Sequence, residues 1–134
     1  MRFIIRDTDY AMQALVFMAH ASRKGKDVVT VDEIVDELNL PERFMRKILQ
    51  RLAKKEILSS YKGKDGGFSF AKPPGQICLT DIIEIFQGKV DITNCLLKGR
   101  ICPNVKRCAL RKRLKGVGLS VNRELRNIIV ESLL

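Results

Sequence analysis

Cys95, Cys102 and Cys108 stand in a C-x6-C-x5-C pattern within a stretch that also holds Gly99 and Pro103, so one loop could fold three thiols round a common centre. Zinc sites usually draw ligands from close C-x2–4-C pairs. Iron–sulfur clusters accept wider spacings and a ligand other than Cys. The spacing therefore points to an iron–sulfur cluster, with zinc binding or a thiol switch as the alternative reading. Lys98, Arg100, Lys106 and Arg107 interleave with these cysteines, and such cationic neighbours favour the thiolate that ligates iron or reacts with oxidants. Cys78, between Ile77 and Leu79, reads as an inert small side chain in a buried strand. His20 is the single histidine and has no companion for a nucleophilic triad. With no phosphate-binding glycine loop either, the sequence predicts a protein that is not an enzyme.

A second set of side chains could bind a polyanion. The formal net charge is +10, and it is unevenly spread. Residues 41–72 carry 9 basic and 3 acidic side chains, net +6, and residues 98–126 carry 10 basic and 1 acidic, net +9. Residues 1–40 and 73–97 are each net −2. Blocks of one sign can be plain solvated faces, so a nucleic-acid reading needs support from the elements that carry them.

Those elements are legible from periodicity. Tyr10, Ala11, Ala14, Leu15, Phe17, Met18 and Ala21 recur at three- and four-residue steps, predicting an amphipathic helix over residues 8–22. Thr30 followed by Glu33 forms a capping-box pattern ahead of Val31, Ile34, Val35 and Leu38. After a tight connection at Asn39 and Leu40, Pro41 opens a third helix through Phe44, Met45, Ile48, Leu49 and Leu52 to about Lys55. Two helices joined this tightly are the layout of a helix-turn-helix. The outward face of the second bears Arg43, Arg46, Lys47, Gln50 and Lys54.

Two short strand-like pieces then flank the turn residues Gly63, Gly66 and Gly67, a basic β-hairpin wing with Lys62 and Lys64 near its tip. A helix of about 14 residues spans roughly 20 Å and fits a major groove, where Arg or Lys pairs with guanine and Gln with adenine. Arg43, Arg46, Lys47 and Gln50 are the expected base-reading side chains, with Thr30, Lys62 and Lys64 completing the DNA-binding set. The wing lysines are expected on phosphate or in the minor groove.

Beyond Pro73, Pro74 and Gly75, Thr80 and Asp81 start a short helix that Gly88 ends. After the cysteine loop, Leu110, Leu114, Val117, Val121, Leu125 and Ile128 hold one stripe across Gly116 and Gly118, predicting a single long helix with an apolar seam suited to dimerisation. The expected fold class is mainly α: a winged helix-turn-helix with a β-hairpin wing and a long C-terminal dimerisation helix. The expected divisions are residues 1–89 for DNA binding, 90–109 for the cysteine loop and 110–134 for dimerisation. No apolar run reaches membrane-spanning length and no signal-peptide pattern opens the chain, so a cytoplasmic protein without membrane contact is expected.

The capped helix pair, Leu58, Ser59 and Ser60 leading into Gly66, Gly67 and Phe68, the segment 77–88 and the cysteine triplet together resemble the IscR and NsrR family of bacterial winged-helix transcriptional regulators (the Rrf-two family). The resemblance covers essentially the whole chain. It implies a homodimer crossing through the long helix, a palindromic double-stranded DNA operator, a repressor role, and a cluster whose state changes DNA affinity in response to nitric oxide, redox or iron status. The IscR type has His three residues after the last Cys, where this chain has Arg111. The NsrR type instead uses an Asp at the start of the first helix, supplied by the other subunit. The run Thr8, Asp9, Tyr10, Ala11 is similar to that stretch, which makes Asp9 the implied fourth ligand and a four-iron cluster the implied cofactor. By its position alone, Asp9 is also a residue favoured by the helix dipole. The alternative is a cofactor-free or zinc-bound regulator that uses thiol chemistry or a protein partner as its signal.

Overall fold

The computed structural model describes residues 3–64, 66–91 and 108–134. Helix α1 (Arg6–Arg23) begins two residues before the periodic stretch, with Asp7 and Asp9 in its first turn, where acids meet the positive end of the helix dipole. Helix α2 (Val31–Leu38) starts at the capping box: Thr30 Oγ1 accepts from the Glu33 amide at 3.2 Å, and Glu33 Oε2 accepts from the Thr30 amide at 3.4 Å. Asn39 adopts a left-handed conformation at φ 55° to end α2, and Pro41 caps α3 (Glu42–Lys54). The apolar residues Met45, Ile48, Leu49 and Leu52 of α3 are buried against Ala14, Leu15 and Met18 of α1 and Ile34 of α2.

Helix α3 hands over to the wing through Glu56, which stands at φ 64° while its amide donates to the Ala53 carbonyl. Left-handed backbone disfavours a side chain bearing a Cβ. Glu56→Gly is therefore expected to stabilise the fold by about 1 kcal/mol in urea denaturation. An unchanged midpoint would show that the turn is not strained.

The wing pairs β1 (Leu58–Tyr61) with β2 (Gly67–Phe70) antiparallel, placing Ser60 opposite Phe68 and Tyr61 opposite Gly67. Val29, just before α2, adds a bridge on the far side of β2: its amide donates to the Phe68 carbonyl at 2.9 Å, and its carbonyl accepts from the Phe68 amide at 2.8 Å. A two-stranded hairpin is marginal alone. This bridge fixes it to the helix-turn-helix.

A 3-10 turn (Pro74–Gln76) leads to α4 (Leu79–Gln87), which starts just before the expected Thr80, with Cys78 as its cap. Helix α5 (Ala109–Arg126) runs unbroken through Gly116 and Gly118; Gly118 is buried, whereas nothing lies near Gly116. It ends before Ile128, the last residue of the expected stripe. From Asn127 the chain turns back to the first part of the fold, where the Leu79 amide donates to the Ile128 carbonyl at 2.8 Å and the Val130 amide to the Ile77 carbonyl at 2.9 Å. Val130 is fully buried, and a 3-10 turn (Val130–Leu133) packs against α1. Leu110, Val117 and Leu119 remain exposed on α5. Among the described residues, no helix is long and apolar enough to cross a membrane.

Candidate nucleic-acid interface

Helix α3 presents its long side chains in two rows. Glu42, Arg46 and Gln50 follow one another at four-residue steps, and Arg43 and Lys47 form the adjacent row. The first row faces the wing. Thr30, Arg46, Gln50, Lys62 and Lys64 line one open cleft of about 470 Å³, with Ser60 and Tyr61 on its hairpin side. Five of the seven DNA-binding residues expected from sequence thus meet around one space. Arg46 is held by Glu42, whose Oε1 lies 2.7 Å from its guanidinium. Both side chains are about half exposed, so the pair orients Arg46 more than it stabilises the fold.

Local backbone chemistry builds the other wall. Gly63 turns the hairpin at φ 102° between Lys62 and Lys64. A Cβ on Gly66 would lie 2.6 Å from the Tyr61 carbonyl oxygen, so this tip closes only around a residue without a side chain. The Tyr61 hydroxyl accepts from Ser69 Oγ at 3.2 Å, and its ring remains exposed beside the lysines.

Arg43 and Lys47 lie on the other flank of α3. They line a cavity of about 370 Å³ with Arg6, Tyr10, Pro41 and Phe44. The Arg6 guanidinium sits over the Phe44 ring, 5.3 Å from its centroid, and Tyr10 meets Phe44 edge-on at 5.6 Å. Sequence reasoning did not find Arg6. The available signal was its four-residue spacing from Tyr10, which puts both on one face of α1.

The N-terminal segment that carries Arg6 and Asp9 is tied down by one side chain. Gln87, the last residue of α4, accepts at Oε1 from the Ile5 amide at 3.1 Å and the Thr8 hydroxyl at 2.8 Å; its Nε2 donates to the Phe3 carbonyl at 2.8 Å. Asp9 is exposed, and its Oδ2 accepts from Gln13 Nε2 at 3.0 Å. It borders an apolar groove along α1 lined by Met12, Val16, Phe17 and Leu133.

Of the expected cluster ligands, Cys95 and Cys102 lie outside the described residues. Cys108 caps α5 as a half-buried free thiol. Cys78, expected in a buried strand, is a half-buried free thiol whose extended backbone makes one bridge, to Ile129. Burial pushes its thiol pKa up, in keeping with an inert role.

Comparison with known proteins places these features in a family. Residues 4–134 match the family described as Rrf2, iron-dependent transcriptional regulator. A protein of Aquifex aeolicus (strain VF5) named "Putative HTH-type transcriptional regulator" is 35% identical over 95 residues, which take in 71% of this chain and 66% of that protein. Among solved structures, CymR (YrzC), the global cysteine regulator of B. subtilis, superposes with a TM-score of 0.78 at 20% identity, covering 99% of this chain and 96% of CymR. IscR of T. potens superposes with a TM-score of 0.73 at 20% identity over 98% of this chain and 85% of its own. At that identity the superpositions establish the fold, the mainly helical winged helix-turn-helix. The match along almost the whole sequence establishes the rest: this chain belongs to the Rrf2 family of iron-dependent, DNA-binding transcriptional regulators.

Proposed function

We propose that this chain acts as a homodimeric regulator, a repressor in its usual role, that reads a palindromic DNA operator and whose affinity for it is switched by an iron–sulfur cluster. The carrying observation is the cleft in which Arg46 and Gln50 face Lys62 and Lys64 across a hairpin fixed to the helix-turn-helix. With α3 in the major groove, Arg46 and Gln50 reach base edges, while the wing lysines contact phosphate and set register. A second copy supplies the symmetry of a palindrome. The exposed Leu110 and Val117 of α5 and the apolar groove along α1 offer surfaces for it, and the division into residues 1–89, 90–109 and 110–134 follows from these roles.

The residues that would hold the cluster are Cys95, Cys102 and Cys108 of one subunit and Asp9 of the other. The donor set fits: three thiolates suit iron, and a carboxylate is an acceptable fourth ligand. Cys108 is a free thiol at a helix start, and Asp9 engages only one carboxylate oxygen with Gln13. Bound there, a four-iron cluster would supply a centre that nitric oxide, oxidants or iron shortage can alter. The chain's part is to tie its loss to α1 and α5, and a cluster that changes DNA affinity must itself be held differently on and off DNA.

Anaerobically purified wild type is expected to contain iron and acid-labile sulfide with visible charge-transfer absorption. Cys108→Ser should lose them, and Asp9→Ala should lose or shift the spectrum while remaining folded. Zinc, or no metal, in the wild type would move the signal to the cysteine thiols themselves or to a protein partner.

A further inference from the structure

We propose that the cavity between α1 and the second row of α3 is a binding site for one backbone phosphate of duplex DNA, with Arg6 as its central ligand. The inference rests on the DNA-binding reading above. The cavity is lined by Arg6, Arg43 and Lys47 around the rings of Tyr10 and Phe44, and among the described residues no carboxylate lines it. Of the acids beside these residues in sequence, Glu42 turns to Arg46 on the adjacent row, Asp9 bonds Gln13, and Asp7, next to Arg6 in the first turn of α1, does not line the cavity. Three cations converging without an anion repel one another, and an anion seated among them removes that repulsion.

The geometry selects the kind of anion. The Arg6 guanidinium lies over the Phe44 ring, 5.3 Å from its centroid, and a guanidinium held on a ring can still pair its N–H groups with the oxygens of a phosphodiester. Tyr10 meets the same ring edge-on and adds to the packing that holds Phe44 in place. Arg43 and Lys47 line the same cavity from the helix that turns Arg46 and Gln50 toward the wing cleft. A duplex seated with its bases at the cleft therefore runs its backbone past Arg6. The wing lysines hold phosphate on one flank of α3, and Arg6 holds it on the other.

The test uses the full chain and a duplex recovered from a random pool by selection on the wild type, titrated by fluorescence anisotropy over a range of salt concentrations. Arg6→Gln should flatten the slope of log K against log salt by about 0.9 and weaken binding about five-fold near 0.15 M salt, with the order of preference among duplexes unchanged. Arg6→Lys should restore the slope. Neutralising one flanking phosphate as a methylphosphonate should cost the wild type the same increment and cost Arg6→Gln nothing more. A wild-type slope in Arg6→Gln would overturn the site while leaving DNA binding standing. A changed base preference would overturn it too, by placing Arg6 among the residues that orient α3. A wild type that prefers no duplex would overturn the reading on which the site rests, and the site with it.

Discussion

Gly67→Ala is expected to destabilise the fold by about 3 kcal/mol and to weaken DNA binding roughly thirty-fold near physiological salt, the loss of two wing phosphate contacts. Gly67 stands at φ 156°, and a Cβ there would lie 2.5 Å from the carbonyl oxygen of Val29 and 2.9 Å from its carbonyl carbon. The obstacle is backbone, so no rotamer relieves it. It is also the backbone that exchanges two hydrogen bonds with Phe68. The hairpin must move away from Val29, losing those bonds and exposing part of Phe68, which is only 6% exposed. Lys62 and Lys64 then no longer face Arg46 and Gln50. Gly63→Ala is the control: its φ of 102° is also unfavourable for alanine, but nothing lies within reach of the added methyl. It should cost about 1 kcal/mol and leave the wing docked. Equal effects of the two substitutions on DNA affinity would show that the bridge to Val29 does not hold the wing.

The second large effect is expected at Gln87. Replacing it with alanine removes both acceptor bonds to Ile5 and Thr8 and the donor bond to Phe3. Thr8 is fully buried, so its hydroxyl is left without an acceptor and without water. The expected cost is about 3 kcal/mol in urea denaturation. Hydrogen exchange should show the Ile5 amide losing its protection. Gln87→Glu keeps an acceptor for Ile5 and Thr8 and loses only the bond to the Phe3 carbonyl, so it should cost less than alanine. Because Arg6 and Asp9 sit on the segment that Gln87 holds, the alanine variant should also lower retention of the proposed cluster and flatten the salt dependence of DNA binding. Unchanged stability would remove Gln87 from this role.

Much of the fold was written in local patterns. The Thr30 and Glu33 capping box is formed as its spacing implied, and the apolar stripes of α1 and α3 are the faces they bury. The glycines of the wing could be read as a turn, but not as places where another segment's backbone passes at contact distance. Such contacts come from tertiary approach and leave no local trace. Arg6 was missed for the same reason: its partner Phe44 is remote in sequence, and only folding brings α1 across α3. The separation of Arg43 and Lys47 from Arg46 and Gln50 was available in principle, since four-residue steps divide them into two rows. Ile128 continues the three- and four-residue spacing of the α5 stripe, so periodicity alone carries the helix on to it. The exit after Arg126 is instead decided by pairing with residues 77–79.

That pairing also sets an order of assembly. A ribosome delivers α1 to α4 first, but Ile77 and Leu79 find their backbone partners only when residues 128–130 emerge. Until then the nascent chain carries an unfilled slot where Val130 belongs, beside the helix that begins the fold. Helix α1 and residues 128–130 lie on opposite sides of α5 in the chain yet close the same core, so that core is complete only once α5 has been synthesised and the chain has doubled back.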